Sequence, residues 1–212
     1  MGRPKILLAD DHTLVLAAFK KLLEQDFDVV GTVSDGCELV SFAPQVKPDV
    51  IVLDIGMPGA SGMVAGLELR KVLPRTKLIV LTMNEDPEIA REAVRLWASG
   101  YVLKKSGGGE LISAIREVLR GRTFVTPSIA RQLEDAFIRD PRPDHKRELT
   151  ARQREVLQLL AEGRTMRQAA EQLNVTTRTV AFHKYRIMEE FGLKTNSDLV
   201  RFAIRERVIS AA

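Results

Sequence analysis

The sequence predicts an α/β fold, a doubly wound five-stranded parallel sheet, followed by a second, all-α domain. Three observations carry this expectation. Within the first 121 residues, five short runs rich in Val, Ile and Leu show no apolar–polar alternation, as expected of strands covered on both faces. Helix-length stretches separate these runs with short connections, the pattern of βα units. From Leu149 onward the strand pattern stops and a series of capped helices takes over.

Taken in order, the strand runs are residues 5–9, 29–33, 50–53, 78–81 and 101–103. The intervening helices fall at about residues 14–25, 38–46, 63–73, 87–98 and 110–120. Asp35, three residues before Glu38, makes a capping box. Asp86 caps a helix whose first position is Pro87. The run Ser106-Gly107-Gly108-Gly109 lacks the Lys-Ser/Thr of a phosphate loop and reads as a turn into the last helix. Residues 60–66 hold more small side chains than the start of a helix usually does, which loosens it.

Thr126-Pro127 opens a short amphipathic helix over residues 128–138. Residues 139–147 have no apolar residue other than proline and read as a solvated linker. Thr150 with Gln153 opens a helix over 151–162, closed by Gly163. Thr165 with Gln168 opens 166–173, closed by Asn174; Thr176 opens 177–191, closed by Gly192; Thr195 opens 196–205. Only Asn174-Val175-Thr176 separates the middle pair, a helix-turn-helix spacing.

Composition excludes several classes. No apolar run approaches the roughly 18 residues of a membrane span, and neither a signal peptide nor a myristoylation motif is recognised at the N-terminus. The single Cys37 excludes an intrachain disulfide framework, fits a reducing cytoplasm and reads as a buried small apolar residue. His12, His145 and His183 are scattered and do not form a zinc site. Residues 1–121 are near neutral, with 15 Lys+Arg against 16 Asp+Glu, whereas residues 149–212 carry 11 against 7. That basic end is a modest footprint for nucleic acid.

Four of the predicted strands end on chemistry. They run into Asp10-Asp11, Asp54, Thr82 and Lys104. Parallel strands would place all four ends on one edge, where open α/β sheets bind ligands. Clustered carboxylates repel when desolvated, and a hard divalent cation such as Mg²⁺ resolves this. A carboxylate there can act as a nucleophile toward phosphorus. Lys104 and Thr82 would supply charge and a hydroxyl to phosphoryl oxygens.

These residues, with Asp54-Ile55-Gly56-Met57-Pro58, Gly62, Leu81-Thr82 and Gly100-Tyr101-Val102-Leu103-Lys104, resemble the receiver domain of a two-component response regulator, a flavodoxin-like fold. The resemblance implies that Asp54 accepts a phosphoryl group from a histidine kinase. It implies that Asp11, Asp54, the Gly56 carbonyl and, partly through water, Asp10 hold Mg²⁺. Lys104 would pair with the phosphoryl group, Thr82 would turn to meet it, and Tyr101 would follow from exposed to buried, a two-state element biased by new charge. Gly56 and Asn84 occupy positions that tune acyl-phosphate lifetime in that family.

In the helix over 177–191, Val180, Lys184, Ile187, Met188 and Phe191 follow 3–4 spacing and form the expected inward face, with Lys184 at its margin. Arg178, Ala181, Phe182, Tyr185 and Glu189 form the other. An aromatic pair beside Arg suits a DNA groove, where Phe can touch a thymine methyl and Arg or Tyr a phosphate. Residues 149–208 resemble the LuxR-type helix-turn-helix of the NarL/FixJ class, through the run from Leu149 to Leu157, Ala161-Glu162-Gly163, Ala169 to Leu173, Thr176, Thr179-Val180 and His183. The resemblance makes 177–191 the recognition helix. Thr177, Arg178, Thr179, Ala181, Phe182, His183, Tyr185 and Arg186 are the expected contacts to double-stranded promoter DNA, and residues 196–205 the means of forming a homodimer on it. Three positions depart from the pattern: Ala170 where Ile is usual, Ala181 where a basic residue is frequent, and Phe182 in place of a smaller apolar residue.

The domains expected are therefore a receiver over 1–121, a helix and polar linker over 122–148, and a helix-turn-helix domain over 149–212. The leading function is a cytoplasmic transcription regulator controlled by phosphorylation, not an enzyme beyond its own phosphorylation and dephosphorylation. A phosphatase or phosphotransferase with an aspartyl intermediate is disfavoured because Gly56, not a second Asp to serve as acid–base, follows Asp54 by two. A DNA binder with a never-phosphorylated receiver is disfavoured by the complete set Asp10, Asp11, Asp54, Thr82 and Lys104.

Overall fold

The computed structural model describes residues 2–57, 62–139 and 149–209. The chain divides into two compact units, Met1–Pro141 and Arg142–Ala212. In the first, strands β1 (Lys5–Ala9), β2 (Asp28–Val33), β3 (Val50–Leu53), β4 (Lys77–Thr82) and β5 (Gly100–Leu103) form the expected parallel sheet. A sixth strand, β6 (Phe124–Val125), joins it, and the order is β2-β1-β3-β4-β5-β6. The two residues of β6 lie in the segment expected to hold only helix and linker. A two-residue strand is too short to show periodicity, and backbone bonds alone define it: Phe124 N–H to Ser99 O (3.2 Å) and Thr126 N–H to Tyr101 O (2.9 Å).

Helices α1 (Thr13–Leu23), α2 (Gly36–Val46), α3 (Gly62–Val72), α4 (Pro87–Leu96), α5 (Gly108–Leu119) and α6 (Pro127–Arg139) complete the unit. Ile6, Leu8, Val50, Val52, Ile79, Leu81 and Val102 share one buried cluster with Leu23 of α1 and with Leu111, Ile115 and Val118 of α5. The alternate strand residues, among them Leu7, Ile51, Leu53, Val80 and Tyr101, are equally buried. Side chains alternate across a strand, so both faces of the sheet are covered, which is why the strands read as continuous apolar runs.

Local signals place the helices. Asp35 accepts from the N–H groups of Cys37 and Glu38, and Asp86 from that of Glu88. Gly107, at φ 86°, turns the chain into α5 in a left-handed conformation suited to glycine, so the glycine run is a turn. Cys37 departs from expectation: it lies exposed in the first turn of α2, where its backbone N–H donates to the Asp35 cap, while Gly36 and Leu39 beside it are buried. The small residues of α3 have packing reasons. A Cβ on Gly62 would lie 2.4 Å from the Asp54 carbonyl oxygen, and one on Gly66 2.7 Å from the Trp97 ring. Helix α3 thus packs directly on the loop after β3; residues 58–61 lie outside the described residues.

Thr126 anchors α6. Its hydroxyl accepts from the Leu103 N–H (3.1 Å) and donates to Glu110. Ile129 is fully buried, and α6 packs against α4. The polar residues 140–148, expected as linker, lie outside the described residues.

The second unit contains α7 (Ala151–Ala161), α8 (Met166–Gln172), α9 (Thr177–Glu190) and α10 (Asn196–Arg205). Thr150, Thr165, Thr176 and Thr195 cap them, three as full capping boxes. Asn174, at φ 53°, makes the tight turn between α8 and α9. Arg152 of α7 donates to the Leu173 carbonyl (3.2 Å) at the end of α8. Two clusters fill the interior: Val156, Leu159, Ala169, Ala170 and Val180, and Leu157, Ile187, Leu199, Phe202 and Ala203. Leu160 packs against both.

Two substitutions test this packing. Gly62→Ala will destabilise the first unit by about 1–3 kcal/mol in urea unfolding, despite alanine's higher helix propensity, because backbone lies where the methyl must go. Thr126→Val will cost about 1–3 kcal/mol, since it leaves the buried Leu103 N–H without its acceptor.

Candidate functional site: an acidic crevice and an exposed helix face

The parallel register brings the four strand ends together. Ala9 pairs with Leu53, Leu53 with Val80, and Thr82 with Leu103. Asp10, Asp54, Thr82 and Lys104 therefore line the carboxyl edge of adjacent strands β1, β3, β4 and β5. The crevice lies where the strand order reverses beside β1, the position at which α/β sheets take ligands.

Lys104 organises it. Its Nζ lies 2.6 Å from Asp10 Oδ2 and 2.9 Å from Asp54 Oδ2, with all three side chains at most 8% exposed. Burial opposes the ammonium charge, but the hydrogen bonds to Asp10 and Asp54 outweigh it and hold the Lys104 pKa above the usual lysine value. The other Asp54 oxygen, Oδ1, accepts from the Gly56 N–H (2.9 Å). Gly56 thus meets Asp54 through its amide.

Sequence reading passed over one member. His12 donates its backbone N–H to Asp10 Oδ1 (3.0 Å), and its Nδ1 lies 3.1 Å from that oxygen and 3.0 Å from Asp11 Oδ1. Ligand atoms of Asp10, Asp11, His12 and Asp54 all lie within 4.8 Å of one another. His12 directly follows the two aspartates, which is the signal that could have found it. The donor set fits a divalent cation, because it brings the carboxylates of Asp10, Asp11 and Asp54 together and hard cations prefer oxygen ligands.

Thr82 and Tyr101 lie beside this cluster. Thr82 is buried, and its hydroxyl accepts from the Asn84 N–H (3.1 Å). Asn84 Oδ1 accepts from the Asp86 N–H (2.8 Å), and Asp86 in turn caps α4. Tyr101 is fully buried and donates its hydroxyl to the Asn84 carbonyl (2.8 Å). Burial, then the negative charges of Asp86 and Asp54, push its pKa far up.

On α9 the structure separates the expected DNA contacts. Thr177, Arg178 and Tyr185 are exposed, and Ala181, Phe182 and Arg186 are half-buried. Thr179 and His183 are not on this surface: they are 3% and 1% exposed. Thr179 shares a hydrogen bond with the cap Thr176 (2.9 Å), and the His183 ring meets the Phe182 ring edge-on. Thr179, Val180, His183 and Ile187 form the fully buried stripe, so the inward face is rotated by about one residue from the expected one, and Lys184 is half-buried. Tyr185, 59% exposed, lies under the Lys184 ammonium.

Lys104→Met will destabilise the first unit by about 3 kcal/mol in urea unfolding, because it leaves two buried carboxylates uncompensated. Tyr101 has a folded pKa raised above its unfolded value. Its contribution to stability is therefore full below about pH 10 and is lost as pH rises. The phenolate absorbance missing from Tyr101→Phe will accordingly appear only with alkaline unfolding.

Comparison with known proteins agrees with this architecture. Residues 6–116 match the response regulator receiver domain, and residues 147–203 the bacterial regulatory proteins of the luxR family. The chain is 36% identical, over 97% of its length and 99% of the relative's, to the oxygen regulatory protein NreC of Staphylococcus carnosus. Among solved structures, RcsB of Salmonella enterica serovar Typhimurium, bound to a promoter with a phosphomimetic, is 30% identical with a TM-score of 0.64, covering 95% of this chain and 98% of that one. The response regulator ChrA of a heme-sensing two-component system is also 30% identical, with a TM-score of 0.53, covering 99% of this chain and all of that one. The chain belongs to the two-component response regulators that join a receiver domain to a LuxR-type DNA-binding domain.

Proposed function

We propose that Asp54 is the phosphoacceptor of this response regulator and that its phosphorylation controls promoter binding through α9. The observation that carries the reading is the Lys104 ammonium held between Asp54 and Asp10 at the sheet's carboxyl edge. Asp54 Oδ2 forms the bond to phosphorus as the phosphorus–nitrogen bond of a kinase phosphohistidine breaks. Lys104 then exchanges a carboxylate for a phosphoryl oxygen, and Asp10 keeps its contact. Asp10, Asp11, Asp54 and the Gly56 carbonyl would hold Mg²⁺, which, when bound, neutralises charge on the transferring oxygens.

Thr82 carries the change outward. Turning its hydroxyl toward the phosphoryl group withdraws it from the Asn84 N–H, the first link of the turn that caps α4. Tyr101 already lies buried on the Asn84 carbonyl, the orientation the switch assigns to the phosphorylated state. Self-dephosphorylation is hydrolysis at this same site, with Gly56 and Asn84 setting its rate.

The α9 side chains left exposed or half-buried are the DNA-facing set: Thr177, Arg178, Ala181, Phe182, Tyr185 and Arg186. Thr179 and His183 position the helix from inside. RcsB dimers bound to DNA, at 29% identity and a TM-score of 0.62, support a homodimer on DNA. No described helix is long and apolar enough to cross a membrane, and the cytoplasm is the proposed site of action.

A duplex selected by the full chain from random sequence tests the DNA half. Affinity should fall steeply with salt as Lys and Arg displace counterions, and Arg178→Ala should weaken binding and flatten that slope. Phe182→Ala should cost about 1–3 kcal/mol at its own base step, read by competition between duplexes. Weakening by His183→Ala without loss of folded structure would reverse the inside–outside assignment.

A further inference from the structure

We infer that a basic cavity at the amino edge of the sheet, the end opposite the acidic crevice, binds a small phosphate anion of the phosphate or pyrophosphate class. The inference does not depend on Asp54 being the phosphoacceptor. The cavity holds about 200 Å³ and lies where β4, β5 and β6 begin. Its lining includes Arg70, Lys77, Arg95, Arg122 and Trp97, and no Asp or Glu among the described residues. The four cations come from separate parts of the fold: α3, the start of β4, α4 and the segment before β6. A cleft lined by one sign of charge focuses its field on a ligand of the other.

Nearby acids offset only half of this charge. Glu92 pairs with Arg95 (3.0 Å) and Glu117 with Arg122 (2.8 Å). Arg70 donates to the Pro74 carbonyl (2.9 Å), and neither it nor Lys77 has an ion-pair partner among the described residues. Arg70 and Arg95 stand in the last turns of α3 and α4, where a cation suits the helix dipole. That role does not extend to Lys77, which begins a strand and is half-buried. Two uncompensated cations call for a doubly charged ligand, and guanidinium forks match phosphate oxygens in pairs. Trp97, 4% exposed and packed on Gly66, gives the cavity a fixed wall. Size narrows the ligand further. The cavity exceeds the share of one water, about 30 Å³, and falls below the roughly 300–1,000 Å³ of pockets for drug-sized molecules. It suits a small anion rather than a whole nucleotide.

The chain has one tryptophan, so its fluorescence reports on this cavity. The full chain, Lys77→Met, Lys77→Arg and Arg70→Gln are titrated with inorganic phosphate, pyrophosphate and adenosine diphosphate, by Trp97 emission and by calorimetry. A chelator keeps dication-dependent binding at the acidic crevice out of the measurement. The parent should bind pyrophosphate saturably with a change in Trp97 emission, more tightly than adenosine diphosphate, and more weakly as salt rises. Lys77→Met and Arg70→Gln should each lose about ten-fold, whereas Lys77→Arg, which keeps the charge, should retain most of the affinity. No saturable binding to the parent, binding without a change at Trp97, unchanged affinity in both charge-removing variants, or tighter binding of adenosine diphosphate would overturn the assignment. Circular dichroism separates a lost site from a lost fold; should Lys77→Met not fold, the exposed Arg70 carries the test.

Discussion

One ammonium holds two buried carboxylates together, and the first domain is organised around that arrangement. Lys104 ends β5, Asp10 ends β1 and Asp54 ends β3, so the triad spans four adjacent strands with β4 between. Such a cluster is costly to bury and collapses if one partner is removed. The compensation is a site whose charge balance is easily changed. Phosphorylation at Asp54 adds charge where one lysine already serves two carboxylates, so the proposed switch acts on an interaction held near balance.

Structure surrounding the triad is built to feel such a change. Thr82, Asn84 and Asp86 form a continuous ladder of side chain-to-backbone bonds from the end of β4 into the cap of α4. Tyr101 reaches across from β5 to the same Asn84. Behind Tyr101, Thr126 joins β5 to the start of α6, and α6 lies on α4. Helix α6 thus packs on α4, which Asp86 caps, and begins directly after Thr126, whose N–H donates to the Tyr101 carbonyl; it leads toward the DNA-binding domain in sequence.

Much of this was legible in the residues. Strands buried on both faces leave continuous apolar runs, and polar residues at their ends stand out, so Asp10, Asp54, Thr82 and Lys104 were visible as a set. Helix starts were visible because Asp35, Asp86 and the four capping threonines satisfy the same backbone donors they imply in sequence. What escaped notice has physical causes. β6 is two residues long, and only backbone bonding defines it. His12 gains its meaning from folding back over Asp10 and Asp11. Cys37 lies exposed with its backbone N–H on the Asp35 cap, a position that hydrophobicity does not signal. Thr179 and His183 were expected to contact DNA through the resemblance of this helix to a recognition helix, yet hydrogen bonding to Thr176 and ring contact with Phe182 let both be buried in a small helical core.

The most direct test of the central proposal is intact-mass spectrometry of the full chain after treatment with a small acyl-phosphate donor and Mg²⁺. The account predicts a gain of one phosphoryl group in the parent, lost when the dication is chelated and absent in Asp54→Ala. Equal labelling of Asp54→Ala, or no labelling of the parent, would contradict it.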